Sequence, residues 1–419
     1  MTILLVVAAG VILVQAVVLA MNLAYWKRPR AGGNGKSLRV SVLIPARNER
    51  DNLPGLLAAL AAQDFAPWEI LVCDDASDDG TGDWLRDHAR PAGAEWFRAP
   101  DKPEDWVGKC WACHQLGMRA SGDWLLFLDA DVTPGSEFLG QMACLMASTE
   151  AFLVTALPRF ATTTPGDGML TAMVPFSVFS LLPLPRAEKD PREAFAFANG
   201  QVMGFRSADY HRSRPHEQVR EMLLEDVGLA RWAKRLGCEV LVVDATRTLT
   251  VRMYHGLGPA LRGLGRMAVP ICGGIPQAML TILVMAIAYL VPWVGALTGD
   301  LFALTLGALG ALLFGICAWR FGLGAWYALL TPVAVALTIA TMVQSILWHR
   351  RGGVPWKGRV YDGMGSSWRQ ELGVRSVKDE QENCLDQDGE PSPPHGSAGP
   401  GQHEDPGGDI QDVEPRVNQ

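Results

Sequence analysis

Leu125-Leu-Phe-Leu-Asp-Ala-Asp-Val132 is the stretch from which the rest of the chain can be read. Four apolar residues, enough for a short buried strand, run directly into Asp129-Ala-Asp131. Side chains alternate along extended backbone, so two carboxylates one residue apart leave the strand's C-terminal end on the same side. Ligands of open α/β sheets gather at that edge. A carboxylate pair there suits a hard divalent cation, Mg2+ or Mn2+, that shares its coordination with a diphosphate. An isolated D-x-D reads equally as a capped turn, and its neighbours have to decide.

Working outward, Leu38-Arg-Val-Ser-Val-Leu-Ile-Pro45 is a β-branched run, followed by Ala46-Arg-Asn-Glu49, which opens a helical stretch through Ala62. The pattern repeats with a strand over Glu69 to Cys73, a loop over Asp74 to Gly80 and a helix over Thr81 to Arg90; the third strand is Asp123 to Leu128. Strands alternating with helices predict a parallel sheet with right-handed crossovers and a nucleotide-type crevice at the strand ends. Asp74 and Asp75 leave the second strand where a carboxylate can accept from a base imide or a ribose hydroxyl, although Asp-Asp before Ser and Gly is also ordinary turn chemistry. Three polar loops converging on one sheet edge favour the nucleotide site.

Three segments, Ser41-Val-Leu-Ile-Pro-Ala-Arg-Asn-Glu49, Ile70-Leu-Val-Cys-Asp-Asp-Ala-Ser-Asp-Asp-Gly-Thr81 and Phe127-Leu-Asp-Ala-Asp131, together resemble the family 2 glycosyltransferases. The likeness keeps the family's order from about residue 38 to 255. It implies a GT-A fold, a Rossmann-like and mostly parallel sheet, that transfers a sugar from a nucleotide-diphosphate donor. By that resemblance Pro45, Arg47 and Glu49 and one of Asp74 or Asp75 belong to the nucleotide side. Asp129 and Asp131 would hold the metal and the sugar diphosphate. Trp106-Val-Gly-Lys-Cys-Trp-Ala112 looks like the W-x-G-K-x-x-A pattern of a branch associated with carotenoid and hopanoid biosynthesis, and Lys109 in it is placed to stabilise a donor phosphate. Asn199-Gly-Gln201 follows the same branch and falls on the acceptor side, where buried amide capping would look identical. Glu225-Asp226 opens an amphipathic helix, Leu223 to Lys234, and carboxylates in a first turn suit the helix dipole in any case. The family pattern makes Asp226 the catalytic base, with Glu225 as the alternative. The Q-x-x-R-W motif of processive members is absent, and Arg262-Gly-Leu-Gly-Arg266 is a loose substitute for it.

The flanks of this domain have a different composition. The chain is 419 residues long and 49% hydrophobic, with the excess at the N-terminus and between about 268 and 348. Ile3 to Tyr25 is long enough to span a bilayer and is followed by Lys27, Arg28 and Arg30, which predicts an uncleaved anchor with residue 27 onward in the cytoplasm. Apolar stretches at about 275 to 297, 301 to 319 and 325 to 348 are each long enough to span. Three crossings would put His349-Arg-Arg351 outside, against the positive-inside rule; a re-entrant first segment, with Pro270, Gly273, Gly274, Pro276 and Pro292 in and around it, would leave two. Met169 to Pro185, interrupted by prolines at 175, 183 and 185, predicts an interfacial segment or a buried loop beside a lipid acceptor. The eight cysteines lack a repeated spacing, which fits a reduced compartment; Cys110-x-x-Cys113-His114 is the only cluster, and a helix face explains it as well as a metal does. The net charge of −7 argues against bulk nucleic-acid binding.

The expected organisation is therefore an anchor over 1–27, a GT-A domain over 37–258, a membrane region over 259–350 with two or three spans plus an interfacial segment, and a disordered acidic tail over 375–419. The expected activity is inverting, metal-dependent transfer from a UDP- or GDP-sugar to a lipid acceptor such as a carotenoid or hopanoid, by a multi-pass protein of the cell membrane. A processive polysaccharide synthase, or a non-catalytic scaffold with a degenerate nucleotide fold, are the alternatives.

Overall fold

The strand that ends in Asp129 lies near the centre of a seven-stranded sheet. In chain order the strands are β1 (Val40–Ala46), β2 (Glu69–Asp74), β3 (Glu95–Arg98), β4 (Trp124–Leu128), β5 (Val132–Pro134), β6 (Leu153–Leu157), β7 (Arg159–Phe160), β8 (Val202–Arg206), β9 (Val240–Asp244) and β10 (Leu249–Val251). The large sheet runs β3-β2-β1-β4-β8-β6-β9, and a small one runs β5-β10-β7. The computed structural model describes residues 1–26, 28–29, 37–351, 353–356 and 359–361. Lys27 and Arg30 after the anchor, residues 31–36, and the expected tail over 375–419 lie outside the described residues.

All neighbours in the large sheet pair parallel except β8, which is antiparallel to both β4 and β6. β4, β6 and β9 are buried on both faces, and their continuous apolar runs follow from that. After β1 the chain lays β2 and β3 on one side, then crosses to set β4 on the other. That reversal leaves a crevice outside the C-terminal ends of β1 and β4, where Asp129 emerges. Reversal of β8 has a second consequence: Val202 pairs with Leu128, so the turn before β8, Asn199 to Gln201, lies beside Asp129.

Two segments differ from the sequence expectation. The helix after β1 begins at Leu53, not at Ala46. Asn48 has a left-handed φ of 54°, and the N–H groups of Asn48 and Glu49 donate to Ser77 Oγ and Thr81 Oγ1 instead of to helical carbonyls. Around the prolines, Pro165–Leu181 forms one helix through Pro175, largely buried, and ends before Pro183. Thr164 and Asp167 close a capping box at its start. At its end, Asn22 of the N-terminal helix donates to the carbonyls of Phe179 and Leu182 and accepts from Leu184 N–H. A lone buried asparagine in an apolar helix thus satisfies the groups that Pro183 and the helix end leave open.

Four helices among the described residues are long and apolar enough to cross a membrane: Thr2–Tyr25, Ile275–Leu297, Leu301–Arg320 and Ala325–Arg350. Between the catalytic domain and the second of these lies an amphipathic helix, Leu257–Cys272. The N-terminal helix joins the sheet at Asp244, the last residue of β9. Its carboxylate accepts from Arg28 Nε at 2.8 Å, pairs with Arg320 and accepts from the Thr246 hydroxyl at 2.6 Å. Arg320 in turn stacks over Trp26, 4.6 Å from the ring centroid.

Candidate active site

The loops after β1 and β2 are stitched into one wall. Arg47 Nη1 donates to the carbonyls of Asp75 at 2.5 Å and Ala76 at 2.9 Å, and Asp78 N–H donates to Asn48 Oδ1 at 3.0 Å. Glu49 accepts from Asn52 Nδ2 at 2.6 Å. Arg47 and Glu49 therefore brace the loops, while Pro45 stays in β1 opposite Cys73 of β2. The two aspartates of β2 divide their work. Asp74 accepts from Ser77 N–H at 3.1 Å and approaches the first turn of the helix beginning at Thr81. Asp75, also buried, lines a pocket with Ala76, Arg98, Pro100 and Lys102 at the ends of β2 and β3.

At the end of β4 the polar residues converge. Lys109 enters on the Gly108–Arg119 helix, and its ammonium bridges Asp129 at 2.8 Å and Glu225 at 2.7 Å. Gly200 N–H donates to Asp226 Oδ2 at 2.9 Å. A Cβ on Gly200 would lie 3.2 Å from each of Asp226 Oδ2, Glu225 Oε1 and Lys109 Nζ, so a side chain there would crowd all three groups. The turn is held by its neighbours. Asn199 Nδ2 donates to Ala156 O and to Gln201 Oε1, its N–H donates to Thr155 Oγ1, and Gln201 O accepts from Asp129 N–H. Both side-chain amides expected on the acceptor side are thus engaged within the protein, where they brace Gly200.

One ammonium among three carboxylates leaves a local excess of negative charge. Burial alone would push the Lys109 ammonium down, but Asp129 and Glu225 outweigh it and keep it firmly protonated. Desolvation pushes the Glu225 and Asp226 carboxyls above the usual carboxylate range, and Lys109 opposes this without cancelling it. Asp131 sits further along, where its carbonyl accepts from Arg252 N–H at the end of β10. Tyr254 and Arg266 lie within electrostatic reach of Asp131, and Arg266 also reaches Asp129 and Glu225. The Tyr254 ring packs on Gly263, where any Cβ would collide with it, and its buried hydroxyl has no hydrogen-bond partner among the described residues. Sequence reading passed over Tyr254 entirely. The pair Arg262 and Arg266 was visible only as a loose motif, because its relevance depends on the Leu257–Cys272 helix packing Gly263 on Tyr254 and so bringing Arg266 within reach of Asp131.

Two carboxylates on one strand end make an oxygen donor set suited to Mg2+ or Mn2+, which commonly take one or two protein carboxylates and complete their shell with phosphate and water. No group of three His, Cys, Asp or Glu side chains able to hold a metal occurs among the described residues. The set thus fits a cation shared with a bound diphosphate, not a closed protein cage. Cys110 and Cys113 are buried in their helix, as a helix face requires.

Residues 41–210 match the family model described as glycosyl transferase family 2. Over 262 residues the chain is 25% identical to the 4,4'-diaponeurosporenoate glycosyltransferase of Staphylococcus haemolyticus (strain JCSC1435), covering 61% of this chain and 68% of that one. The enzyme of the same name from Staphylococcus aureus (strain USA300) is 26% identical over 265 residues, covering 60% and 66%. Among solved structures, the mannosyltransferase PcManGT from Pyrobaculum calidifontis, in complex with GDP-Man and Mn2+, superposes with a TM-score of 0.46 at 19% identity, covering 81% of this chain and 98% of that one. The glucosyl-3-phosphoglycerate synthase of Mycobacterium tuberculosis, in complex with Mn2+, UDP and glucosyl-3-phosphoglycerate, gives 0.38 at 18% identity, covering 60% and 87%. The matched sequence, the order of its motifs and the parallel sheet around them agree: this chain carries a family 2 glycosyltransferase domain of GT-A architecture, similar to carotenoid glycosyltransferases.

Proposed function

We propose that the protein is a membrane-bound, metal-dependent, inverting glycosyltransferase that moves a sugar from a UDP- or GDP-sugar to a lipid acceptor. The observation that carries this reading is the Lys109 bridge between Asp129, at the diphosphate end, and Glu225, beside the base. It supports a single centre in which donor and acceptor chemistry meet.

In this reading the pocket beside Asp75 takes the nucleoside, with Asp75 and not Asp74 as its acceptor group. Asp129 and Asp131 hold the divalent cation, which supplies positive charge to the departing diphosphate when bound. Lys109, Arg266 and the Tyr254 hydroxyl face the same developing charge. Asp226 takes the proton of an acceptor hydroxyl as its oxygen attacks the anomeric carbon from the side opposite the leaving group. The new C–O bond forms, the bond to the β-phosphate oxygen breaks with its electron pair, and the anomeric centre inverts. Asn199, Gln201 and Gly200 act by holding Asp226 in place. A carboxyl acceptor, already ionised, would not need the proton transfer. The staphylococcal relatives are named for a carotenoid acid, which supports a polyisoprenoid-type acceptor with a hydroxyl or carboxyl end. The domain limits 1–27, 37–258 and 259–350 fit this reading, with the catalytic domain on the cytoplasmic face.

Lipid extracts of cells with the chain, without it, and with Asp226→Asn in its place test the proposal. A glycolipid present only with the parent chain is expected. Identical lipid profiles in all three, with the variant expressed at parent level, would overturn it.

A further inference from the structure

Composition alone counts Ala325–Arg350 with the membrane-crossing helices. Side-chain contacts fix the depth of each apolar helix against the N-terminal one. Near its start, Leu5 packs within 4.0 Å of the Cβ position of Gly295, which also abuts Ala303. Midway, Gln15 bonds the Tyr289 hydroxyl, and Ile12 and Tyr289 both pack on Gly310. At its far end Arg28 and Arg320 share Asp244 of the catalytic sheet. Ile275–Leu297 therefore runs antiparallel to the N-terminal helix and Leu301–Arg320 parallel to it, and both cross. Ile275, about 21 Å before Tyr289 along its helix, lies on the catalytic side.

Both ends of the last helix are fixed on that same side. Before its start, Ala328 packs on Gly315, only about 8 Å down from Arg320 along the crossing helix, and the Tyr327 hydroxyl abuts Gly168 at the start of Pro165–Leu181. At its end, Met342 and Ile346 cluster with Val269 and Ala278, the latter in the first turn after Ile275. Ser345 Oγ accepts from Val269 N–H, and Trp348 packs on Gly265. Twenty residues of helix span about 30 Å, the hydrocarbon thickness, so a crossing helix cannot begin and end near one face.

We infer that Thr331–Arg350 does not cross the membrane but lies in the leaflet facing the catalytic domain, paired with Leu257–Cys272, and that the chain crosses three times with its C-terminal end on the catalytic side. Leu329, Val333, Val343 and Leu347 are exposed and apolar, and they contact the acyl chains of that leaflet. His349, Arg350 and Arg351 then share a side with Arg28 and Arg320, which removes the conflict with the positive-inside rule. The expected alternative, a re-entrant Ile275–Leu297, is opposed by its depth markers at Tyr289 and Gly295. The same platform carries Arg266 toward Asp131, so a lipid acceptor reaches the site sideways from the leaflet. This inference rests on the membrane placement proposed above but not on the transfer reaction.

Its test uses the full chain with an epitope tag at each end and a cysteine in the Thr298 turn (Leu297→Cys). In intact spheroplasts, protease should reach the N-terminal tag, and an impermeant maleimide should label Leu297→Cys above the parent level. The C-terminal tag should be cut only in inside-out vesicles. A C-terminal tag cut in intact spheroplasts would overturn the inference, as would Leu297→Cys labelled only from the catalytic side. Carbonate extraction separates the two levels of the argument: a chain stripped from the membrane contradicts the placement itself, whatever its activity.

Discussion

The two carboxylate clusters at the C-terminal ends of β4 and β9, three strands apart on one sheet edge, are built from the same chemistry in opposite proportions. At the crevice, the Lys109 ammonium is the one cation in direct contact with Asp129 and Glu225, with Asp226 beside them and Arg266 within electrostatic reach only. At the membrane junction, Asp244 alone faces Arg28 and Arg320, with Thr246 added. Burial pushes the Glu225, Asp226 and Asp244 carboxyls up. At the junction the Thr246 and Arg28 hydrogen bonds and the Arg320 charge outweigh burial and hold Asp244 below the usual range, whereas at the crevice one ammonium is too little and Glu225 and Asp226 stay raised. The ratio of cations to carboxylates thus separates a finished structural joint from a site that still has capacity for positive charge.

The largest effect should come from the crevice. Asp226→Asn keeps the shape and removes the proton acceptor, so transfer to a hydroxyl acceptor should fall by about 10²- to 10⁴-fold in single-turnover assays while the melting temperature is retained. Next, Lys109→Met removes the one cation between two carboxylates and should cost on the order of 3 kcal/mol of stability, read by denaturation in detergent. Mn2+ should then raise the melting temperature of Lys109→Met more than that of the parent, because the ion occupies the same charge deficit. Equal metal effects on both would remove the contrast between the two clusters. Asp244→Asn should cost less, about 1–2 kcal/mol, since Arg28 is 46% exposed and can turn to water. Its transfer rate per folded molecule should match the parent's.

The smallest and sharpest test is pH. Asp226 must be ionised to accept a proton, so the transfer rate should rise with pH through an apparent pKa above the ordinary carboxylate value of about 4. Stability should move the other way at this site: the raised carboxyls are disfavoured when charged, and stability falls as pH rises from the unfolded pKa through the folded one. Asp244, depressed in the fold, contributes stability that is complete above its unfolded pKa and lost as pH falls through its folded one. Melting temperatures of the parent and Asp244→Asn should therefore converge at acid pH. A constant gap between them would contradict the account of the junction.

The crevice was largely legible in the sequence because its parts are short and local. A strand that ends in Asp129-Ala-Asp131 delivers its carboxylates to the sheet edge whatever follows. The division of labour between Asp74 and Asp75 was not legible, since both follow the same strand and only the turn at Ser77 and the helix at Thr81 separate their roles. Asn199 and Gln201 matched a motif but not its mechanism: alternating residues of a turn before a reversed strand can face a ligand or hold each other, and here they hold each other. The membrane region was the least legible. Length and apolarity give Thr331–Arg350 the credentials of a span, and only contacts more than 70 residues apart in sequence, such as Val269 N–H with Ser345 Oγ, fix its depth.

One measurement bears on the central claim most directly. The purified full-length chain in lipid vesicles, supplied with Mn2+, a lipid extract and UDP- and GDP-sugars in turn, should release the nucleoside diphosphate of one donor. Release should require the extract and should disappear in Asp226→Asn. No release from any donor, or undiminished release by Asp226→Asn with a hydroxyl acceptor, would contradict the account.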